Sequence, residues 1–363
     1  MEFGLLYEIQ VPRPWDAGSE QRALWNAVEQ TVAGESAGFT HVWAVEHHFR
    51  EEFSHMSAPE VWLGAVAQHT NQIRLGHGIV LLPLPMNHPV RVAERIGMLD
   101  IMSNGRVEFG TGRSVVELEL EGFQIDPGDT RGMWEESVGF LQKLWGSGDE
   151  LVDFQGRYFA MPPRRVFPRP VQKPHPPMWM AATSPASYSL AGDYGVGVLA
   201  FGMAIDKDAM GRRLGEWRAA MAASVREVPV KNPRAAVFMM GFCAKTMKEA
   251  RAMCEETFVS YLDHTIDTFL RWGEKKELPP GYEWYAKAAE HTSARSGRAK
   301  FQYLLENKMI LVGTPDDIAE TVSGFKDAGV TQMLVAMQLG DIPHEAVMDS
   351  ISLFGKEVIP QFR

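Results

Sequence analysis

The chain has 363 residues, 45% of them hydrophobic, and 36 basic side chains against 46 acidic ones give a formal net charge of −10. That balance disfavours a nonspecific nucleic-acid binder, which needs a basic face, but leaves room for a phosphate held by one arginine and a few backbone amides. Cys243 and Cys254 alone make neither a disulfide framework nor a metal site, and no run approaches the roughly 18 apolar residues of a membrane span.

The first residues, Met1-Glu2-Phe3-Gly4-Leu5-Leu6-Tyr7, lack a basic region followed by a long apolar one. A signal peptide is therefore not expected, and the expected location is the cytoplasm. Short β-rich runs begin at Phe3, His41, Arg74, Arg106, Met178, Val196, Ala236 and Gln332. Between them lie segments with helical spacing: Ala23, Ala27, Val28, Val32 and Ala37 on one face, then Val61, Ala65, Val66 and His69, then Val90, Ala93, Ile96, Gly97 and Met98. Strands alternating with helices predict an α/β fold, a (β/α)₈ TIM barrel, with an open doubly wound sheet as the alternative. The whole chain, 1–363, reads as one barrel domain with two insertions. Gly146 to Pro177 carries a hairpin pattern around Gly156 and a proline-rich connector. The stretch from Cys243 to Thr331, between the seventh and eighth strands, is longer than one crossover helix needs. Its part from Glu274 to Lys300 reads either as a lid or as a tolerated surface insertion.

One strand end stands out. Thr40-His41-Val42-Trp43-Ala44-Val45 is an apolar run with the length of a buried strand, and it stops at Glu46-His47-His48-Phe49. The carboxyl end of a barrel strand is where chemistry sits, and imidazole exchanges protons near neutrality. A structural or metal-bound histidine is the alternative. A metal shared by Glu46 and His47 is not expected, because successive side chains of a strand point to opposite faces, and the HExxH spacing is absent. One neighbour of His47 is expected to orient it and the other to pack or bind structural partners. Arg113, after Phe109-Gly110-Thr111-Gly112, offers a planar guanidinium suited to a phosphate, or else to a surface ion pair. Ala182-Thr183-Ser184-Pro185 joins the fifth strand to a helix start, where free amides attract a phosphate and where Thr183, Ser184 and Ser187 can add hydroxyls, or where the residues simply cap the helix with no ligand. Phe201, Met203 and Trp179 can line an apolar pocket or simply pack.

Five motifs in register carry a resemblance: Glu46-His47-His48-Phe49, Val80-Leu81-Leu82-Pro83, Asn87-His88-Pro89-Val90-Arg91-Val92-Ala93-Glu94, Leu99-Asp100-Ile101-Met102-Ser103-Asn104-Gly105-Arg106 and Phe109-Gly110-Thr111-Gly112-Arg113. Together they resemble the bacterial luciferase family of flavin-dependent monooxygenases, most strongly from Phe39 to Arg113. The resemblance implies a barrel with an extra segment between strands seven and eight. It implies reduced FMN (FMNH₂) at the carboxyl face, delivered by a separate NAD(P)H:flavin reductase. It also implies O₂ as co-substrate, a flavin C4a-hydroperoxide, and a small organic substrate that is oxygenated. The lack of a G-x-G-x-x-G element opening a βαβ unit agrees with a borrowed flavin. By the same resemblance His47 is the catalytic histidine, Arg113 binds the FMN phosphate, and Gly78-Ile79 is the place of a backbone bulge, often a cis peptide, beside the flavin ring, with an ordinary strand glycine as the alternative. A homodimer through barrel helices is the family's common assembly. Luciferase proper has a reactive cysteine where Gly112 stands and a glutamate where Ala182 stands, so light emission is not implied. Glu119 corresponds loosely to the family's acidic residue after the phosphate arginine. Two further readings stay open: an oxidoreductase using the deazaflavin F420, and a non-catalytic flavin-binding protein.

Overall fold

The structure is a computed structural model, and it describes residues 1–279, 281–285 and 295–363. The strands are β1 (Glu2–Tyr7), β2 (His41–Ala44), β3 (Arg74–His77), β4 (Val80–Leu81), β5 (Val107–Gly112), β6 (Val152–Gln155), β7 (Ala160–Arg164), β8 (Met178–Ala182), β9 (Gly197–Phe201), β10 (Ala235–Cys243), β11 (Leu311–Gly313) and β12 (Gln332–Ala336). Leu5 of β1 lies opposite Val42 of β2 on one side and Val335 of β12 on the other, and Val198 of β9 pairs with Ala235 of β10. The parallel ladder therefore closes into an eight-stranded barrel, β1-β2-β3-β5-β8-β9-β10-β12, and the open sheet is excluded. The eight strand starts read from sequence fall within one residue of the observed ones. Near-continuous apolar runs made them visible, because a parallel strand is covered on both faces.

The helices described are α1 (Ser19–Ala37), α2 (Pro59–His69), α3 (Pro89–Met102), α4 (Glu117–Gly122), α5 (Thr130–Gly146), α6 (Pro185–Asp193), α7 (Lys207–Ala223), α8 (Met247–Gly273), α9 (Gly297–Glu306), α10 (Pro315–Asp327) and α11 (His344–Glu357). Helix α8 starts at a capping box in which Thr246 accepts from the Glu249 amide and Glu249 reaches back. One predicted face is only partly right. Helix α2 buries Trp62, Leu63, Val66 and Ala67, while Val61 is 71% exposed and His69 is exposed too. The larger Trp62 and Leu63 side chains take the core stripe. Met98 of α3 is also exposed, together with Ile101 and Met102.

Two insertions depart from the repeat. Strands β6 and β7 form the expected antiparallel hairpin between α5 and β8. The segment between β10 and β12 contributes α8, α9, β11 and α10, and β11 pairs with the last residues of β10, Phe242 opposite Val312. Both cysteines are buried free thiols.

A charged layer fills the barrel interior away from the carboxyl ends of the strands. Glu108 of β5, fully buried, receives Arg74 Nε at 2.5 Å, Arg234 Nη2 at 2.8 Å and Trp179 Nε1 at 2.7 Å. Burial alone would raise this carboxyl, but His41, Arg74 and Arg234 together hold it down at about 2. Trp179, a candidate pocket residue by sequence, belongs to this layer, and Met203 is likewise core.

Candidate active site

The β2 ladder ends at Ala44, and the chain then turns across the carboxyl end of the barrel, pinned by the His47 amide donating to the Met56 carbonyl at 3.0 Å. His47 Nδ1 lies 2.7 Å from Glu119 Oε1 of α4. Glu119 is itself held: Ser114 Oγ donates to Oε2 at 2.6 Å and the His48 amide to Oε1 at 3.1 Å. Burial pushes the Glu119 carboxyl up, but His47, Ser114 and the His48 amide outweigh it, and the net shift is downward. Burial likewise works against the His47 imidazolium, yet Glu119 and then Glu8 more than offset it, so His47 is raised.

The expectation that a sequence neighbour orients His47 is corrected here. Glu46 accepts from the Leu81 amide at 2.9 Å and Asn87 Nδ2 at 2.8 Å, and contacts His48 Nε2 at 3.0 Å. It ties β2 to the β4 region and leaves His47 to Glu119. The ladder stops before Glu46, so strand alternation does not govern which way these side chains point. Three further polar side chains at this end were not singled out by sequence. Glu8 follows β1 as His47 follows β2, an apolar run ending in an ionisable group, so the same signal could have found it. Tyr261 of α8 donates to Glu8 Oε1 at 2.9 Å. Arg50 stacks over Phe53, 4.1 Å from the ring centroid. Nothing local marks Tyr261 or Arg50, because only the fold brings them in.

These groups line a cavity of about 210 Å³ at the carboxyl end of the barrel. His47, Gly78, Ile79 and Thr183 line it, as does Phe201. An aromatic wall is built from Phe53 stacked on Tyr261, centroids 5.0 Å apart, and Phe201 beside Phe238 at 5.7 Å. Gly78, Ala181 and Ala200 keep side chains small along the lining. The Gly78–Ile79 peptide is trans: the cis bonds among the described residues all precede proline. The break between β3 and β4 is made instead by two short pairings, β3 to β5 through Gly76 and β4 to β5 from Val80. Ile79 lies over β5 where Gly112 has no side chain; a Cβ there would come within 1.7 Å of Ile79 Cδ1.

Arg113 and Ser184 do not reach the cavity lining. Arg113 donates to the Gly281 carbonyl at 3.1 Å and lies 4.9 Å from the centroid of the Tyr282 ring, with Thr130 Oγ1 at 3.4 Å. Thr183 Oγ1 is 2.9 Å from the Tyr285 hydroxyl. Ser184 precedes α6 as its N-cap, makes no side-chain bond to the helix amides, and donates to Ser187 Oγ at 3.4 Å. The described part of the Glu274–Lys300 segment thus reaches both sequence-predicted phosphate elements; Pro280 and 286–294 lie outside the described residues. A flavin mononucleotide fits this donor set in kind, with an apolar, small-residue wall for a ring and a guanidinium with several hydroxyls for a phosphate.

A barrel closed in this way, with a histidine–carboxylate pair at its carboxyl face, belongs to a recognised class. Residues 1–332 match the family model for luciferase-like monooxygenases, and the chain belongs to that family. It is 28% identical over 356 residues to 4-hydroxyprotoasukamycin monooxygenase of Streptomyces nodosus subsp. asukaensis, covering 94% of this chain and 87% of the relative. It is 25% identical over 263 residues to the oxygenase component of the flavin-dependent trigonelline monooxygenase of Acinetobacter baylyi, covering 72% and 70%. The oxygenating constituent of 3,6-diketocamphane monooxygenase from Pseudomonas putida, solved with FMN, shares the fold with a TM-score of 0.79, 22% identity and coverage of 100% and 99%. An F420-dependent secondary alcohol dehydrogenase also shares the fold, aligning over 100% and 99% with a TM-score of 0.73 and 19% identity.

Proposed function

We propose that this chain is the oxygenase component of a two-component flavin monooxygenase, acting on a small, largely apolar organic substrate with FMNH₂ from a separate NAD(P)H:flavin reductase. The observation that carries it is the His47–Glu119 pair opening onto an apolar cavity at the barrel's carboxyl end. Reduced FMN, when bound, supplies the two electrons and two hydrogens that turn one atom of O₂ into water while the other enters the substrate. The chain's own residues do the rest. Gly78, Ile79 and the cavity's apolar lining exclude water and position the ring end. Arg113, with Thr183 and Ser184 at the α6 start, holds the phosphate. His47 exchanges a proton with the reacting oxygen through Nε2, because Nδ1 is committed to Glu119. The trigonelline relative, named as an oxygenase component, supports the separate reductase.

The same reading takes the chain as one barrel domain, cytoplasmic, and a homodimer. No described helix is long and apolar enough to cross a membrane. The exposed apolar residues Val61 of α2 and Met98, Ile101 and Met102 of α3 support a helix-to-helix dimer contact. The F420-dependent relatives favour a second reading, hydride transfer with F420 at the same site.

One experiment separates the two. The protein is titrated anaerobically with reduced FMN and, separately, reduced F420; the complex is then mixed with isotopically labelled O₂ and a panel of small apolar ketones, phenols and terpenes. Binding of FMNH₂ and labelled oxygen in a product support the proposal. Preference for F420 with no incorporation of label overturns it.

A further inference from the structure

One polar group on the cavity has no part in the function proposed above. Glu8 follows the last residue of β1, and its side chain is only 5% exposed. Oε1 accepts the Tyr261 hydroxyl at 2.9 Å. Oε2 is buried without a hydrogen-bond partner and lies 3.7 Å from His47 Nε2. A buried oxygen left unpaired has given up its hydration without replacement, at a cost that grows if it is charged. A carboxyl kept only for packing would be bonded on both oxygens, as Glu46 and Glu119 are. The His47 ring therefore has a carboxyl on each side: Glu119 bonded to Nδ1, and Glu8 a few tenths of an ångström beyond bonding distance from Nε2.

We propose that Glu8 is a proton reservoir acting through His47, the two holding one exchangeable proton between Glu8 Oε2 and His47 Nε2. The inference rests on the monooxygenase reading of this cavity. Glu8 is then a positioning and proton-supplying residue, and His47 remains the group that meets the substrate. The transfer balances without electrons. The Oε2–H bond of Glu8 breaks as Nε2–H forms on His47; that N–H then breaks as an O–H forms on the substrate or product oxygen. Glu8 is left as a carboxylate and regains its proton from water when the product leaves.

The surroundings suit both end states. Burial pushes the Glu8 carboxyl up, against the opposing pull of His47, Tyr261 and Arg50, and the second carboxylate, Glu119, pushes in the same direction as burial. The net shift is upward, toward the neutral acid. After transfer the new carboxylate keeps the Tyr261 hydroxyl and the charge of Arg50, which lies over Phe53 on the same cavity. Glu119 stays bonded to Nδ1 throughout, so the ring is held in place while Nε2 takes up and passes on the proton.

The test is a pH titration by nuclear magnetic resonance of the flavin-free protein, following the side-chain carboxyl carbon of Glu8 and the His47 Cε1–H. In the unaltered chain the two signals are expected to move in common steps, as interacting sites do. Glu8→Gln keeps the shape and removes the proton; the His47 midpoint is expected to fall by about one pH unit or more. Tyr261→Phe removes the anchor but keeps the carboxyl, so the common steps persist while the Glu8 midpoint rises. In turnover, Glu8→Gln should draw the alkaline limb of the rate profile down by the same amount. Independent midpoints in the unaltered chain, or a His47 midpoint unmoved by Glu8→Gln, overturn the proposal. Because the titration needs no flavin and no substrate, it can fail while labelled oxygen still appears in product, and it can succeed where that oxygenation fails.

Discussion

Arg113 and Gly281, 168 positions apart in the chain, meet through a guanidinium-to-carbonyl hydrogen bond of 3.1 Å. Gly281 sits at φ +89°, a conformation few other residues adopt, and a Cβ there would come within 3.1 Å of the Arg113 guanidinium. The residue proposed to hold the flavin phosphate is thus the one against which Gly281 and Tyr282 lie. On that proposal, ligand binding and the position of these two residues are coupled.

Arg113→Ala should weaken reduced-FMN binding by roughly 10-fold or more, the size of a lost charged hydrogen bond of about 1.5–3 kcal/mol. Limited proteolysis within 274–300 should accelerate in the same variant. Anaerobic fluorescence titration reads the first effect. Unchanged affinity would place the phosphate away from Arg113.

His47→Ala should keep reduced-FMN affinity and lose oxygenation by about 10²-fold or more, the usual scale of a general acid–base group. Product yield per reduced flavin, with hydrogen peroxide as the accompanying product, is the measurement. A variant that oxygenates at full rate removes His47 from the chemistry.

Glu119→Gln should change stability in a pH window of defined sign. The Glu119 carboxyl is lowered in the fold, so its contribution is present above the ordinary Glu range and is lost on acidification. His47 is raised, so its contribution is complete below the ordinary His value and is lost as pH rises through the folded one. Both are present between about pH 4.3 and 6.5, and there the melting-temperature gap between the unaltered chain and the variant should be widest. A gap independent of pH would show that the pair is held by shape alone. The same variant should shift the alkaline limb of activity toward lower pH.

Glu108→Gln tests the charged layer. Removing one partner from a buried charge set typically costs about 3–5 kcal/mol, because Arg74 and Arg234 lose their counter-charge. Urea denaturation at neutral pH should show that loss. Since the carboxyl is held down at about 2, the advantage of the unaltered chain should persist through the ordinary carboxylate range and vanish only as pH falls toward that value. A loss below about 1 kcal/mol would mean that the arginines find other partners.

Much of the barrel was legible because buried parallel strands write themselves as apolar runs, and the polar residues that end them mark the catalytic face. The place of His47 at the carboxyl end was legible for that reason, and that of Glu8, bearing the same mark, could have been. Helix α2 misled because Val61 fits a helical stripe as well as Trp62 does, and only packing against α1 and the barrel decides between them. The partner of His47 was sought among its neighbours, Glu46 and His48, because spacing speaks of near residues; Glu119 lies 72 positions away and arrives by way of β5 and α4. Tyr261 comes from a helix inserted before the last strand, where side-chain identity carries no trace of the cavity it meets. The cis bond at Gly78-Ile79 came from family likeness, and nothing in the residues required it.

Gly112 has a bearing beyond its own strand. With no side chain, it leaves to Ile79 the space that a Cβ would occupy, and Ile79 in turn forms part of the cavity wall. The two positions share one volume. Across descendants of this barrel they should therefore change in concert, a larger residue at 112 arriving only with a smaller one at 79. Each such exchange would move bulk from one side of the pocket to the other and change its shape while the His47–Glu119 pair stays as it is.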